Sequence, residues 1–168
     1  MTDKLHQINV TYSSKEDRLL LRVTTQKGDE YRVWLTRKFS GILLDILIKE
    51  MDKHGGAPAI GSSQQTKQMF KAGAFEKSFE HEKSTNYPLG ETGFLAFAIK
   101  TTNASKGNLH LEILPERGAG VTFTLNKSLL YMFHNLLIQG IQTRTLNPVD
   151  CVNTGRGRAG QNPPELSS

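Results

Sequence analysis

The chain has 168 residues, with 21 basic side chains against 16 acidic ones, a formal net charge of +5 and an isoelectric point near 9.4. That length suffices for one compact body without metal or disulfide; the single cysteine, Cys151, excludes an internal disulfide and fits a reducing, cytoplasmic setting. The N-terminal MTDKLHQINVTY lacks the layout of a secretory signal, no run approaches the roughly 18 apolar residues that cross a bilayer, and the mild, dispersed positive excess suits a polyanionic partner without requiring one.

The first element is QINVTY, residues 7–12, in which Ile8, Val10 and Tyr12 alternate with polar residues, the period of a strand buried on one face. After the polar SSKED turn, RLLLRVTT (18–25) continues the alternation with Leu19, Leu21 and Val23 inward. QKGD closes a hairpin around Gly28, and EYRVWL (30–35) forms a third strand with Tyr31, Val33 and Leu35 inward. Thr36 then has the residue type of a helix N-cap, its hydroxyl suited to accept from a free amide of the first turn. Behind it Phe39, Ile42, Leu43, Ile46, Leu47 and Met51 recur at helical spacing, so a helix is expected from Arg37 to Lys53, stopped by Gly55-Gly56.

Between Gly55 and Gly93 the pattern changes. HGGAPAIGSS reads as a link, residues 64–79 have helical composition anchored by Met69, Phe70, Phe75 and Phe79 but interrupted by Gly73, and HEKSTNYPLGETG reads as loop. Strand patterning resumes at GFLAFAIKTTN, where Leu95, Phe97 and Ile99 take the inward role. Two more strands and a helix come after it, and each position equals an earlier one plus 90: Leu109, Leu111 and Ile113 for Leu19, Leu21 and Val23; Gly118 for Gly28; Val121, Phe123 and Leu125 for Tyr31, Val33 and Leu35; Asn126, a second N-cap, for Thr36. Leu129, Met132, Phe133, Leu136 and Leu137 likewise repeat the apolar helix positions. Strand, turn glycine, cap and helix coinciding at one offset indicate an internal duplication. The last stretch, NPVDCVNTGRGRAGQNPPELSS, is almost without apolar residues and reads as a disordered tail.

The expected fold is therefore α+β: two tandem βββα units forming antiparallel sheets with packed helices, a middle helical and loop insertion and a disordered C-terminal tail. The boundaries are 1–54 for the first unit, 55–93 for the insertion, 94–146 for the second unit and 147–168 for the tail, all in one compact body. A meander with one apolar face leaves the other face to solvent. The helices either cover one continuous sheet or cross-pack between units; their apolar surface, in GILLDILIKEM and LLYMFHNLLIQGI, is broader than a single-faced contact needs and is expected to be central or to form an interface, including a homodimer.

The outward residues carry the functional expectation. Arg22, Arg32 and Trp34, with Arg37 and Lys38 just beyond, make a basic and aromatic patch suited to single-stranded DNA or RNA, guanidinium groups meeting phosphates while the indole stacks on a base. The matching residues of the second unit, His110, Glu112, Thr122 and Thr124, are neutral or acidic. The competing expectation is that Trp34 packs against the sheet edge or the middle segment and that the protein binds another protein.

Tandem β-rich repeats that each end in a helix, over residues 7–53 and 95–143, resemble the organisation of the Whirly and Pur-alpha families. That resemblance implies binding of single-stranded nucleic acid, although those families have four strands per repeat where three are expected here, and no signature motif of theirs is present. The TGRGRAG segment, 154–160, is a short Arg-Gly stretch of the kind that adds weak affinity for nucleic acid. No other chemistry is expected. His6, His54, His81, His110 and His134 lack metal-ligand spacing, the glycines of HGGAPAIGSS are not followed by the Lys-Ser/Thr of a phosphate-binding loop, and no serine lies in a Gly-x-Ser-x-Gly turn. The sequence thus points to a non-enzymatic binding protein without cofactor or metal.

Overall fold

A computed structural model describes residues 5–56, 86–104 and 107–146. The expected middle helix, the tail with Cys151 and the Arg-Gly segment lie outside the described residues. In chain order the elements are β1 (Leu5–Ser13), β2 (Arg18–Thr25), β3 (Glu30–Leu35), α1 (Arg37–Lys53), β4 (Phe94–Leu95), β5 (Ala98–Asn103), β6 (Leu109–Leu114), β7 (Val121–Leu125) and α2 (Lys127–Leu146). They form an α+β fold with two sheets, β1-β2-β3-β4 and β5-β6-β7.

The 90-residue correspondence extends to strand register. Leu19 faces Leu35, Leu21 faces Val33 and Val23 faces Tyr31; in the second sheet Leu109 faces Leu125, Leu111 faces Phe123 and Ile113 faces Val121, the same pairs 90 residues on. Gly28 and Gly118 both adopt positive φ, 87° and 97°, as these turns require. Thr36 Oγ1 accepts from the Phe39 amide at 3.2 Å and Asn126 Oδ1 from the Leu129 amide at 2.9 Å, so each helix starts on the expected side-chain cap.

The first strand of the second unit departs from expectation. Ile99 faces Ile113 as Ile8 faces Val23, an offset of 91, but Leu95 and Phe97 do not point into the core: they are 44% and 67% exposed. The strand is broken between them. Phe94 and Leu95 pair in parallel with Val33 and Trp34, adding a fourth strand to the first sheet, and the Ala96 amide donates to the Trp34 carbonyl at 2.9 Å. The next amide, that of Phe97, donates to the Leu114 carbonyl of the second sheet, also at 2.9 Å. The chain thus passes from one sheet to the other between two consecutive residues.

Helix packing settles which arrangement holds the units together. α2 lies against α1 and against β1 of the first unit, so the helices cross-pack instead of each lying only on its own sheet. Gly140 makes the approach: a Cβ there would meet Val10 Cγ1 at 2.9 Å and Leu19 Cδ2 at 3.2 Å. One contiguous core results, running from Ile8, Leu19 and Leu21 through Leu43 and Leu47 to Leu111, Phe123, Phe133 and Leu137. Phe123 and Phe133 meet edge to face with centroids 6.0 Å apart. The broad apolar surface of α2 is absorbed inside this core, whereas α1 leaves Ile42 and Ile48 exposed at 45% and 36%.

Candidate nucleic-acid interface

Period-2 alternation puts Arg22, Arg32 and Trp34 on the sheet face opposite the core, and pairing aligns them: Asn9, Arg22 and Arg32 form one cross-strand row, Thr11, Leu20 and Trp34 the next. This face is less open than the alternation implies. Leu20 is 9% exposed and Glu30 is 5% exposed, while Arg22, Arg32 and Trp34 are half-buried.

Part of the cover is a strap, residues 86–96, laid along the outer edge of β3. Asn86 bridges to Asp29 and Phe94 pairs with Val33, so eight steps of strap span four steps of β3. The four surplus residues must loop out, and they do so over the outward side chains through turns at Gly90 and Gly93, with φ of 89° and 73°. The start is clamped by Asn86, whose carbonyl accepts from the Glu30 amide at 2.9 Å and whose Nδ2 donates to Asp29 Oδ1 at 2.7 Å.

Arg32 and Trp34 are what the strap holds. The Arg32 guanidinium donates from Nε to Glu30 Oε1 at 2.6 Å, from Nη1 to the Glu91 carbonyl at 2.6 Å and from Nη2 to the Tyr87 hydroxyl at 3.4 Å, and it lies 4.7 Å from the centroid of the Tyr87 ring. The Glu30 hydrogen bond raises its pKa further, against some loss from burial. All three nitrogens of this cation are engaged within the chain, and Arg32 thereby fastens the strap to β3. The Trp34 indole Nε1 donates to the Thr92 carbonyl at 2.9 Å, which fixes the ring while leaving it partly accessible beside Leu20 and Leu95.

Arg37 and Lys38 are exposed at the start of α1, three and four residues beyond Trp34; Arg37 Nη2 is 3.5 Å from Asp17 Oδ2, with both side chains more than half exposed. The second sheet shows the polar face expected of it: His110 Nδ1 and Thr124 Oγ1 are 2.7 Å apart, and Lys100 lies 3.8 Å from Glu112.

The site residue that alternation misassigns is Phe97, taken as inward and found two-thirds exposed at the seam between the sheets, next to Leu95. Its signal is absent from local pattern, because the break before it is set by hydrogen bonds to partners 62 residues before Ala96 and 17 residues beyond Phe97 (96 − 34 and 114 − 97). The strap residues Tyr87, Glu91 and Thr92 were hidden for the same reason, although Pro88, Gly90 and Gly93 mark turns there. Among the described residues no group of three His, Cys, Asp or Glu side chains could hold a metal, and no helix is long and apolar enough to cross a membrane.

Comparison with protein-family models, with curated proteins and with solved structures gave no match for this chain.

Proposed function

We propose that the protein is a non-enzymatic binding protein that takes single-stranded DNA or RNA along the seam between its sheets, with bases stacked on Phe97 and the accessible part of Trp34 and phosphates met by Arg37 and Lys38. The observation that carries this reading is Phe97, a phenylalanine 67% exposed one residue beyond the Ala96 amide that donates to the Trp34 carbonyl, with the Trp34 ring itself held in place by Thr92. A fixed aromatic face accepts any base, whereas burying apolar groups is what the fold does with comparable side chains elsewhere. The basic isoelectric point and the tandem strand-helix organisation, similar to that of the Whirly and Pur-alpha families, support the same reading. Arg32 has a structural part in it, as the group that fastens the strap.

A second reading is favoured by a separate observation. Arg32, Lys53 and Arg37 each lie against a carboxylate, while Ile42, Ile48, Leu95 and Phe97 are exposed, a balance that suits a protein partner or a second copy of the chain. Titration of a labelled single-stranded oligonucleotide at low and at moderate salt separates the two. Phosphate-driven binding is strongest at low salt, so absence of binding there refutes the first reading. In a binding-competent protein Phe97→Ala should lose roughly tenfold in affinity, within the range of about 1–3 kcal/mol for one stacked base, with an unchanged melting temperature.

A further inference from the structure

At one end of the molecule four elements are brought within interaction range: the end of β1 with Tyr12, the β1-β2 turn with Asp17, the first residue of α1, Arg37, and the last turn of α2 with Arg144. Their meeting follows from the packing. Gly140 sits on Val10 and Leu19, Tyr12 is the cross-strand neighbour of Leu19, and one helical turn past Gly140 brings Arg144 beyond that pair.

The charges at this end do not balance locally. Asp17 is the acceptor for the Tyr12 hydroxyl at 3.0 Å and lies 3.5 Å from Arg37 Nη2, through an ion pair so exposed that it contributes little. Arg144 Nη1 is shielded from solvent and has no hydrogen-bond partner among the described residues. A cation in the last turn of a helix can cap that helix's own terminal carbonyls, yet this nitrogen donates to none. A buried guanidinium N–H without an acceptor is costly, and an anion is what satisfies it best. The field at this end supports one: α1 starts here with no acidic residue in its first turn and with Arg37 and Lys38 on it. Both arginines act electrostatically on the Tyr12 hydroxyl, whose pKa is nevertheless raised by partial desolvation and then by its bond to Asp17, so it stays a neutral hydroxyl beside them.

We propose that Arg37 and Arg144, together with the Tyr12 hydroxyl and Asp17, form a niche for one phosphate group, and that in the bound state this is a phosphodiester of the strand whose bases stack on Trp34 and Phe97. The assignment of the phosphate to a nucleic-acid strand rests on the function proposed above. Arg37 comes three residues after Trp34, which keeps their Cα atoms within about 11 Å of each other; Trp34 lies on the outward face and Tyr12 on the core face, so the strand bends over the end of the sheet to meet both. Asp17 acts as the occupant of the niche in the unbound state: its carboxylate holds Arg37 until a phosphate displaces it.

The test is anisotropy of a labelled single-stranded oligonucleotide across a salt series, for the full-length protein and its variants. Arg144→Gln and Arg37→Gln should each weaken binding on the order of tenfold at low salt and lower the slope of log K against log salt by about 0.7, the contribution of one phosphate on a single strand. Arg144→Lys, a point charge in place of a fork, should keep the slope and lose part of the affinity. Asp17→Asn, which keeps an acceptor for Tyr12 and tolerates the positive φ of 48° at this position, should bind more tightly. Melting temperatures of all four variants guard against a folding defect. If the wild-type protein binds and both glutamine variants retain its slope, the niche is overturned and the stacking seam survives. If the wild-type protein does not bind the oligonucleotide at low salt, the proposed function falls; titration with inorganic phosphate, monitored through the NMR signals of the arginine side chains, then decides the niche. An Arg37 signal that moves in the wild type and stays still in Arg144→Gln supports it, and no movement in the wild type overturns it.

Discussion

Gly93→Ala is the sharpest probe of how the outward face of the first sheet is built. Gly93 has φ of 73°, and a Cβ placed on it would lie 2.6 Å from Arg32 Cβ and 2.8 Å from the Arg32 carbonyl carbon, with the Arg32 carbonyl oxygen nearer still. None of these atoms is the free end of a flexible side chain, so β3 cannot yield and the strap must lift. If it stayed, the left-handed backbone alone would cost an alanine roughly 1–2 kcal/mol, before any clash. If it lifts, the strain is relieved and two hydrogen bonds are lost instead: Trp34 to the Thr92 carbonyl, worth about 1 kcal/mol, and Arg32 to the Glu91 carbonyl, a charged donor worth about 1.5–3 kcal/mol. Because the clash rules out staying in place, lifting sets the outcome, and the two lost hydrogen bonds together amount to a loss of about 3 kcal/mol.

The assay is urea unfolding monitored by tryptophan fluorescence, and Trp34 is the only tryptophan of the chain. With a urea dependence of about 2 kcal/mol per molar, the midpoint of Gly93→Ala should fall by roughly 1.5 M. Because the strap is the partner of the indole N–H, the folded variant should also emit further to the red and be quenched more readily by acrylamide. A variant with the wild-type midpoint and wild-type emission would refute the reasoning, since it would mean that the strap neither crowds β3 nor holds Trp34.

Three other expectations test the core and its pH response. Gly140→Leu should destabilise the protein by about 1–3 kcal/mol through overpacking against Val10 and Leu19, visible as a lower denaturant midpoint; an unchanged midpoint would mean that α2 does not rest on β1. Phe133→Ala, which removes a fully buried ring and its edge-to-face partner contact with Phe123, should cost about 3–5 kcal/mol in the same measurement. His134 is buried, and burial lowers its pKa below the ordinary 6.5 against a smaller opposing effect of its hydrogen bond to Asn135. The unfolded chain therefore takes up a proton at a higher pH than the folded one, so stability present above pH 6.5 declines as pH falls below it. His134→Leu, which installs the residue found at the equivalent position of the first helix, Leu44, should flatten that decline in unfolding midpoints measured between pH 7 and pH 5.

What the sequence carried openly was everything decided within one element or one hairpin. Period 2 placed Leu19, Leu21, Val33 and Leu35 inward, period 3.6 placed Leu43 and Leu47, and Thr36 and Asn126 capped their helices as their side chains allow. A constant offset of 90 then located the second copy of each, down to strand register. What it concealed was decided between segments far apart. Whether α2 covers its own sheet or the other depends on Gly140 meeting Val10, and nothing near Gly140 says so. The strap groups that engage Arg32, the Glu91 carbonyl and the Tyr87 hydroxyl, are 59 and 55 positions away, whereas its carboxylate partner Glu30 is two residues off on the same strand.

The asymmetry between the two copies has a physical source in the same strap. Where the first unit has Arg32 and Trp34 the second has Thr122 and Thr124, and in the first unit both larger side chains donate to carbonyls of the strap. Among the described residues a chain segment is fastened along the edge of β3 and none along that of β7, which is where the two copies differ. Fastening it there dictates the next two backbone bonds: Ala96 must donate to the Trp34 carbonyl and Phe97, one residue later, to the Leu114 carbonyl of the other sheet. A strand that changes sheets between consecutive residues cannot keep its alternation, and the side chain at the change belongs to neither inner face. Phe97 is exposed for that reason, so the fastening that engages Arg32 is also what presents an aromatic ring at the seam, where the chain leaves the strand edge anchored by Trp34.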